Sequence, residues 1–392
     1  VKVVAVETLR PEVQPNVCFL QLHTDEGLTG LGESFFAAEE VETYVHNAIA
    51  PVLLGMADPA PQRLARTLAA YAGFQGAGVE TRANGAVDIA AWDLLGQQTG
   101  KSLAQLLGGP VRDTIRTYNT CAGAKYVSTT TRQDSANWGL GEGKYEDLDA
   151  FLNRPAELAR ELLDEGITGM KIWPFDRAAE ANNGVDISTA ELKAGVAVVE
   201  AIRAEVGFEM DVMIELHGLW NRLAATKIAH ALADFRPYWI EDPLRPDAVD
   251  GLGKLREAID IPIATGETCV GRRGFLPLLQ NGSVDIITMD IGWTGGITEA
   301  VKIASLADTY TVPIAPHDCT GPVSLAIATH VVTSQPNGLI QETVRGFIRT
   351  WYAELAEGLP VVTGDTVTVP TTPGHGARLR EDIAGTRRIS RL

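Results

Sequence analysis

The 392-residue chain has only four cysteines, at 18, 121, 269 and 319, with no Cys-x-x-Cys pair among them. Neither a disulfide framework nor a zinc cluster fits that dispersal. No block of five or six like charges occurs, and the balance of 33 basic against 50 acidic residues gives -17. A nucleic-acid-binding surface is therefore excluded. No apolar run approaches the roughly 18 residues of a membrane span. The opening Val1-Lys2-Val3 is neither a signal peptide nor an initiator Met, and a reducing cytoplasm is the expected setting. Aromatics are sparse at 6%, while hydrophobic residues reach 45% and glycines number 39, a composition that supports a globular fold with a substantial core.

Val3-Val4-Ala5-Val6 and Val17-Cys18-Phe19-Leu20-Gln21-Leu22, followed by a turn at Asp25-Glu26-Gly27, predict an antiparallel meander. Helical spacing follows, in Val41, Tyr44, Val45, Ala48 and again in Ile89, Trp92, Leu95, with loops at Gly55–Asp58 and Gly73–Gly78. An α+β domain over 1–112 is expected. Eight short β-branched runs come after it, each leading into an amphipathic helix. They are Thr114–Tyr118, Gly169–Trp173, Asp211–Leu216, Tyr238–Glu241, Pro262–Thr265, Asp285–Asp290, Thr311–Ala315 and Gly338–Gln341. This pattern predicts a (β/α)8 barrel over 113–358. The segment 359–392, with a strand at Val361–Pro370 and the loop Pro373-Gly374-His375-Gly376, is expected to return to the first domain as a completion of the cap. Insertions at 123–150 and 176–187 are candidates for pocket walls.

The polar strand-end residues Glu215, Glu241, Glu267, Asp290, His317 and Glu342 lie 26, 26, 23, 27 and 25 residues apart, one βα unit at each step. Strand ends of this kind converge on the catalytic mouth of a barrel. Three carboxylates side by side, Glu215, Glu241 and Glu267, would repel one another without a counterion, and an all-oxygen set favours Mg2+. Two-residue alternation puts Lys171 with Trp173, and Glu215 with His217, on shared faces. Asp290 and His317 on adjacent strands can form a dyad in which the carboxylate fixes the imidazole tautomer. Glu342 either hydrogen-bonds a developing oxyanion in its protonated form or pairs with Arg345. Trp173, Trp220 and Trp293 are candidates to stack on a substrate face, and Arg272, Arg273 and Arg345 to bind a distal anionic group. His23, His46, His230 and His330 are read as packed or solvent-facing residues.

Taken with these positions, the chain resembles the enolase superfamily, in its mandelate racemase and acid-sugar dehydratase group. The motifs that carry the resemblance run from Asp25-Glu26-Gly27-Leu28-Thr29-Gly30-Leu31-Gly32-Glu33, through Ala91-Trp92-Asp93, Gly100-Lys101 and Leu106-Leu107-Gly108-Gly109, to Trp239-Ile240-Glu241-Asp242-Pro243, Gly266-Glu267-Thr268, Gly295-Gly296 and Pro316-His317. The resemblance implies that Glu215, Glu241 and Glu267 bind Mg2+, that His317 with Asp290 is the base, and that Glu342 is the electrophilic carboxylate. The implied chemistry removes the proton α to a carboxylate of a small-molecule substrate, with the ene-diolate stabilised by the metal. A Lys or His base working with Mg2+ is characteristic of this superfamily, so that step is implied by the resemblance.

Two departures bear on the outcome. Where the racemase pattern is Lys-x-Lys, this chain reads Lys171-Ile172-Trp173, and indole cannot accept a proton. A two-base racemisation then requires Lys171 to take the vacant role. Glu215-Leu216-His217 is similar to the Asp-x-His of mannonate dehydratases, which points to His217 as an acid/base. The expected reaction is dehydration of a sugar acid to a 2-keto-3-deoxy acid, with His217 or Lys171 protonating the leaving group. Cycloisomerisation of an anhydro-sugar acid or lactone is the alternative, and a catalytically silent sugar-acid-binding protein the second. A zinc hydrolase is disfavoured by the absence of His-x-His at the first barrel strand. The family further implies a homo-oligomer, and nothing in the composition suggests a nucleic-acid or membrane partner.

Overall fold

The computed structural model describes residues 1–69 and 78–392. Of the expected loop at Gly73–Gly78, residues 73–77 lie outside the described part. Strands β1 (Val3–Pro11), β2 (Val17–Thr24) and β3 (Thr29–Phe35) form the predicted meander. The helix Val79–Thr99 lies directly on β3. Gly30 and Gly32 permit that approach, because a Cβ on either would sit 2.2 and 1.9 Å from the carbonyl oxygens of Ala90 and Ala86.

The barrel strands are β4 (Thr114–Thr120), β5 (Gly169–Ile172), β6 (Asp211–Glu215), β7 (Trp239–Glu241), β8 (Ile263–Thr265), β9 (Ile286–Ile287) and β10 (Gln341–Thr343). Parallel pairing runs from β4 in order to β9, and β10 pairs back onto β4 through Gln341↔Thr117, which closes the ring. The seventh expected run, Thr311–Ala315, makes only isolated bridges, from Ile314 to Ile287 and to Gly338. Thr311 adopts φ 59° and Pro313 has no N–H to give, so an extended ladder cannot form there. Tyr118 and Trp239, from non-neighbouring strands, meet at 5.3 Å between ring centroids and help to fill the interior together with Met213 and Ala264.

The C-terminal segment divides between the two domains. Strand β11 (Ala356–Glu357) pairs with β14 (Arg378–Leu379), and β15 (Gly385–Arg391) adds to the outer edge of β1, as a return to the cap requires. His375 is buried and reaches the Leu31 carbonyl at 2.8 Å. The stretch Val361–Pro370 does not follow. Its strands β12 (Val362–Thr363) and β13 (Thr366–Thr368) form a hairpin that pairs with the barrel strand β4, because Val367 is buried against Ile115 and Val332. No helix among the described residues is long and apolar enough to cross a membrane.

Candidate active site

In-register pairing of β6 with β7 sets Glu215 directly beside Glu241, and β8 leads through Gly266 into Glu267. One oxygen from each of the three lies within 4.8 Å of the others, and all three residues are buried. Burial pushes the Glu241 carboxyl up to about 8; Lys171 opposes this and the nearby Glu215 adds to it. Glu215 Oε2 and Glu241 Oε1 have no hydrogen-bond partner among the described residues. Desolvated, mutually repelling carboxylate oxygens of this kind fit a hard divalent cation.

Lys171, on β5, stands against the same cluster, with Nζ 2.9 Å from Glu342, 3.1 Å from Glu241 and 3.5 Å from Glu215. Burial works to lower its pKa, but Glu241 and Glu342 outweigh that and hold the ammonium well above its ordinary value.

Imidazoles stand on opposite sides of the carboxylates, since β6 and the seventh barrel position are four strands apart in a ring of eight. His317 places Nδ1 3.0 Å from Asp290, whose other oxygen accepts the Trp293 backbone N–H at 2.8 Å. Its Nε2 lies 3.4 Å from Glu267. Burial would lower the His317 pKa, yet Glu267, Glu342 and Asp290 lift it to about 10. A cation shared among the carboxylates would oppose that rise. His217 sits at φ 49° and donates its backbone N–H to Glu215 at 2.7 Å, while Nδ1 meets Asp176 at 2.7 Å. Against burial, Asp176 and Glu215 lift this imidazole to about 10 as well.

Glu342 does not pair with Arg345. It accepts hydrogen bonds from Thr120 Oγ1, from the Asp318 backbone N–H at 2.7 Å, and from Lys171. Burial favours the neutral acid, but Lys171 and His317 prevail and bring it down to about 2. Arg345 points elsewhere, into Asp147 at 2.6 Å and Glu161 at 2.9 Å. Arg272 pairs with Glu299 at 3.1 Å and is half exposed. Neither arginine lines the central cavity. Trp173 does, and its ring packs on Tyr126 and edge-on to His217. Trp293 instead tilts against His317 at 5.0 Å, with the Arg82 guanidinium over its ring at 4.1 Å.

Thr120, Tyr126, Gln133 and Cys319 complete the cavity lining, and sequence reasoning places none of them in the site. Thr120 ends the first barrel strand, as the other site residues end theirs, so its place is available from spacing. Tyr126 and Gln133 come from the insertion at 123–150. Their loop is tied to the first domain by Gln14 and by Asn16, which donates to the Val127 and Thr130 carbonyls.

The family model described as "Enolase C-terminal domain-like" matches residues 154–383, and that described as "Mandelate racemase / muconate lactonizing enzyme, N-terminal domain" matches residues 3–108. Among curated relatives, a D-galactonate dehydratase of Ralstonia pickettii is 29% identical over 97% of this chain and 93% of its own length. A D-gluconate dehydratase of Thermoproteus tenax is 30% identical over 76% of this chain and 54% of its own length. Among solved structures, an enolase of the mandelate racemase subgroup from Agrobacterium tumefaciens is 42% identical, with a TM-score of 0.88, and the match covers 100% of this chain and 99% of that one.

Proposed function

We propose, from the premise that the chain belongs to the enolase superfamily in its mandelate racemase and muconate lactonizing enzyme family, that it is a sugar-acid dehydratase dependent on Mg2+. The observation that carries this reading is the pair of imidazoles on opposite sides of three buried carboxylates, each imidazole backed by its own aspartate. One such group can take a proton while the other gives one, which is what β-elimination of water requires. The names of the relatives, D-galactonate and D-gluconate dehydratase, direct the substrate class to hexonic acids.

Glu215, Glu241 and Glu267 would hold the metal. Bound there, Mg2+ would supply the positive charge that makes the α-proton of a carboxylate acid enough to remove. His317 Nε2 takes that proton, and Asp290 steadies the imidazolium that results. Lys171, kept protonated by its carboxylate neighbours, offers its ammonium to the substrate carboxylate. Glu342 keeps Lys171 and the Asp318 backbone in place. His217 protonates the hydroxyl that leaves from the β-carbon. With Trp173 where a second base would be needed, racemisation at the α-carbon has no acceptor on that side.

The test is incubation of the Mg2+-loaded protein with D-galactonate, D-gluconate and a panel of uronic, aldaric and anhydro-sugar acids in D2O, followed by NMR. A 2-keto-3-deoxy product is expected from at least one acid, and His317→Asn should abolish it while Mg2+ still binds. Isomerisation without loss of water would replace this reading with the cycloisomerase. Binding with no turnover would replace it with a sugar-acid-binding protein.

A further inference from the structure

Asp176 takes no part in the proton transfers assigned to His317 and His217, yet its position is closely fixed. It follows Phe175 in the insertion after β5 and opens the short helix Asp176–Asn182. Phe175 is fully buried and lies where a Cβ on Gly195 would be 2.1 Å from its ring, so the residue before Asp176 is locked against the helix Thr189–Val206. Asp176 is itself 4% exposed. One carboxylate oxygen meets His217 Nδ1 at 2.7 Å, and the other has no partner among the described residues. A buried carboxylate left half unsatisfied costs free energy, so the protein keeps it for what it does to its one partner.

We propose that Asp176 is a positioning residue for elimination: it accepts the Nδ1–H of the His217 imidazolium, so that the second ring proton, on Nε2, is the one directed into the cavity. The inference rests on the dehydratase reading. The backbone of His217 is fixed independently, by its N–H to Glu215 and its left-handed φ, which leaves rotation of the ring as the freedom that Asp176 removes. In the step itself His317 takes the proton from C2, the C3–O bond breaks, and the His217 Nε2 proton goes to the departing oxygen to make water. A C2=C3 enol remains and tautomerises to the 2-keto acid. Because the two imidazoles face one another across the site, proton removal and leaving-group protonation occur from opposite sides.

The experiment compares Asp176→Ala, Asp176→Asn and Asp176→Glu with the wild-type chain on D-galactonate and D-gluconate, and on their 3-deoxy-3-fluoro analogues. Fluoride leaves without a proton, so its loss needs His317 and not His217. Asp176→Ala and Asp176→Asn should slow loss of water by on the order of 10²-fold in kcat, with fluoride release near the wild-type rate. Asp176→Glu should recover part of the loss. Equal slowing of water and fluoride loss would mean that Asp176 only supports the fold around the site, and unchanged loss of water would remove it from the mechanism; either result overturns the proposal. A wild-type chain that releases fluoride but never water would overturn the dehydratase reading, and a wild type with dehydration intact keeps the two failures apart.

Discussion

Trp239 donates its indole N–H to Glu241 Oε2 at 3.0 Å, the oxygen that Lys171 also reaches, and so leaves Glu241 Oε1 free of any hydrogen bond among the described residues. A side chain that turns one oxygen inward to a buried indole presents the other to Glu215 and Glu267. The carboxylate is thereby oriented through one oxygen by an indole of the barrel interior and by Lys171.

That orientation makes Glu241→Gln informative. The amide keeps the shape but gives up the charge, and burial already makes that charge costly, with the carboxyl pushed up to about 8. In metal-free buffer the variant should match or exceed the wild-type Tm. Addition of Mg2+ should raise the wild-type Tm and leave the variant unmoved, because a ligand stabilises only the state that binds it. An equal rise in both by differential scanning calorimetry would take Glu241 out of the ligand set.

Lys171 carries the opposite role in the same cluster, as the cation that three buried carboxylates share. Removal of one partner from a buried ionic group strands the others, at about 3–5 kcal/mol. Lys171→Met should therefore lose stability of that order in urea unfolding without metal. With saturating Mg2+ a second source of positive charge is present, and the deficit should shrink. The same deficit under both conditions would mean that the lysine and the metal do not answer the same charge.

These site residues are legible in the sequence for a physical reason. Glu215, Glu241, Glu267, Asp290, His317 and Glu342 each end a short β-branched run at an interval of one βα unit, and a barrel turns that interval into adjacency. Asp176 has no such marker: it lies in an insertion with no periodicity, where Phe175 packs on Gly195 and Asp176 meets His217. Arg345 misleads in the other direction. Three residues after Glu342 it is near in sequence, but the chain turns into a helix at Arg345–Ile348 and sends the guanidinium outward to Asp147, Glu161 and Glu165. Position alone assigns the hairpin at 362–368 to the cap, while its burial of Val367 against Ile115 is a contact between residues more than two hundred apart.

Glu33 joins the cap to the catalytic half. It ends up buried at the start of the helix Pro322–Ser334, where it accepts from the Val323 N–H at 2.9 Å and from Ser324 Oγ at 2.9 Å. Burial pushes it up to about 7 despite those bonds. With a folded-state pKa above the unfolded value, its contribution to stability is complete below about 4.3 and is lost as pH rises through about 7. Glu33→Gln cannot titrate, so the Tm gap between wild type and variant should narrow from pH 5 to pH 8. Parallel Tm profiles would show that the group does not titrate in that window.

The cap also touches the loop that orients the base. Gly85, in the helix Val79–Thr99, lies where a Cβ would be 2.2 Å from the carbonyl oxygen of Gly292, and backbone cannot yield as a side-chain tip can. Gly292 stands between Asp290, which holds His317, and Trp293, which packs on the His317 ring. Gly85→Ala must therefore push the cap helix off the barrel or displace the Asp290 loop. Overpacking of this kind costs about 1–3 kcal/mol. The variant should lose that much in unfolding and lose kcat, while Mg2+ affinity, set by Glu215, Glu241 and Glu267 on other strands, stays at the wild-type value. Gly78→Ala is the control, since among the described residues its added Cβ would meet the flexible end of Glu80 at 3.6 Å. Were Gly85→Ala to lower stability with kcat intact, the helix would have moved without disturbing Asp290, and the cap would be coupled to the barrel by packing alone.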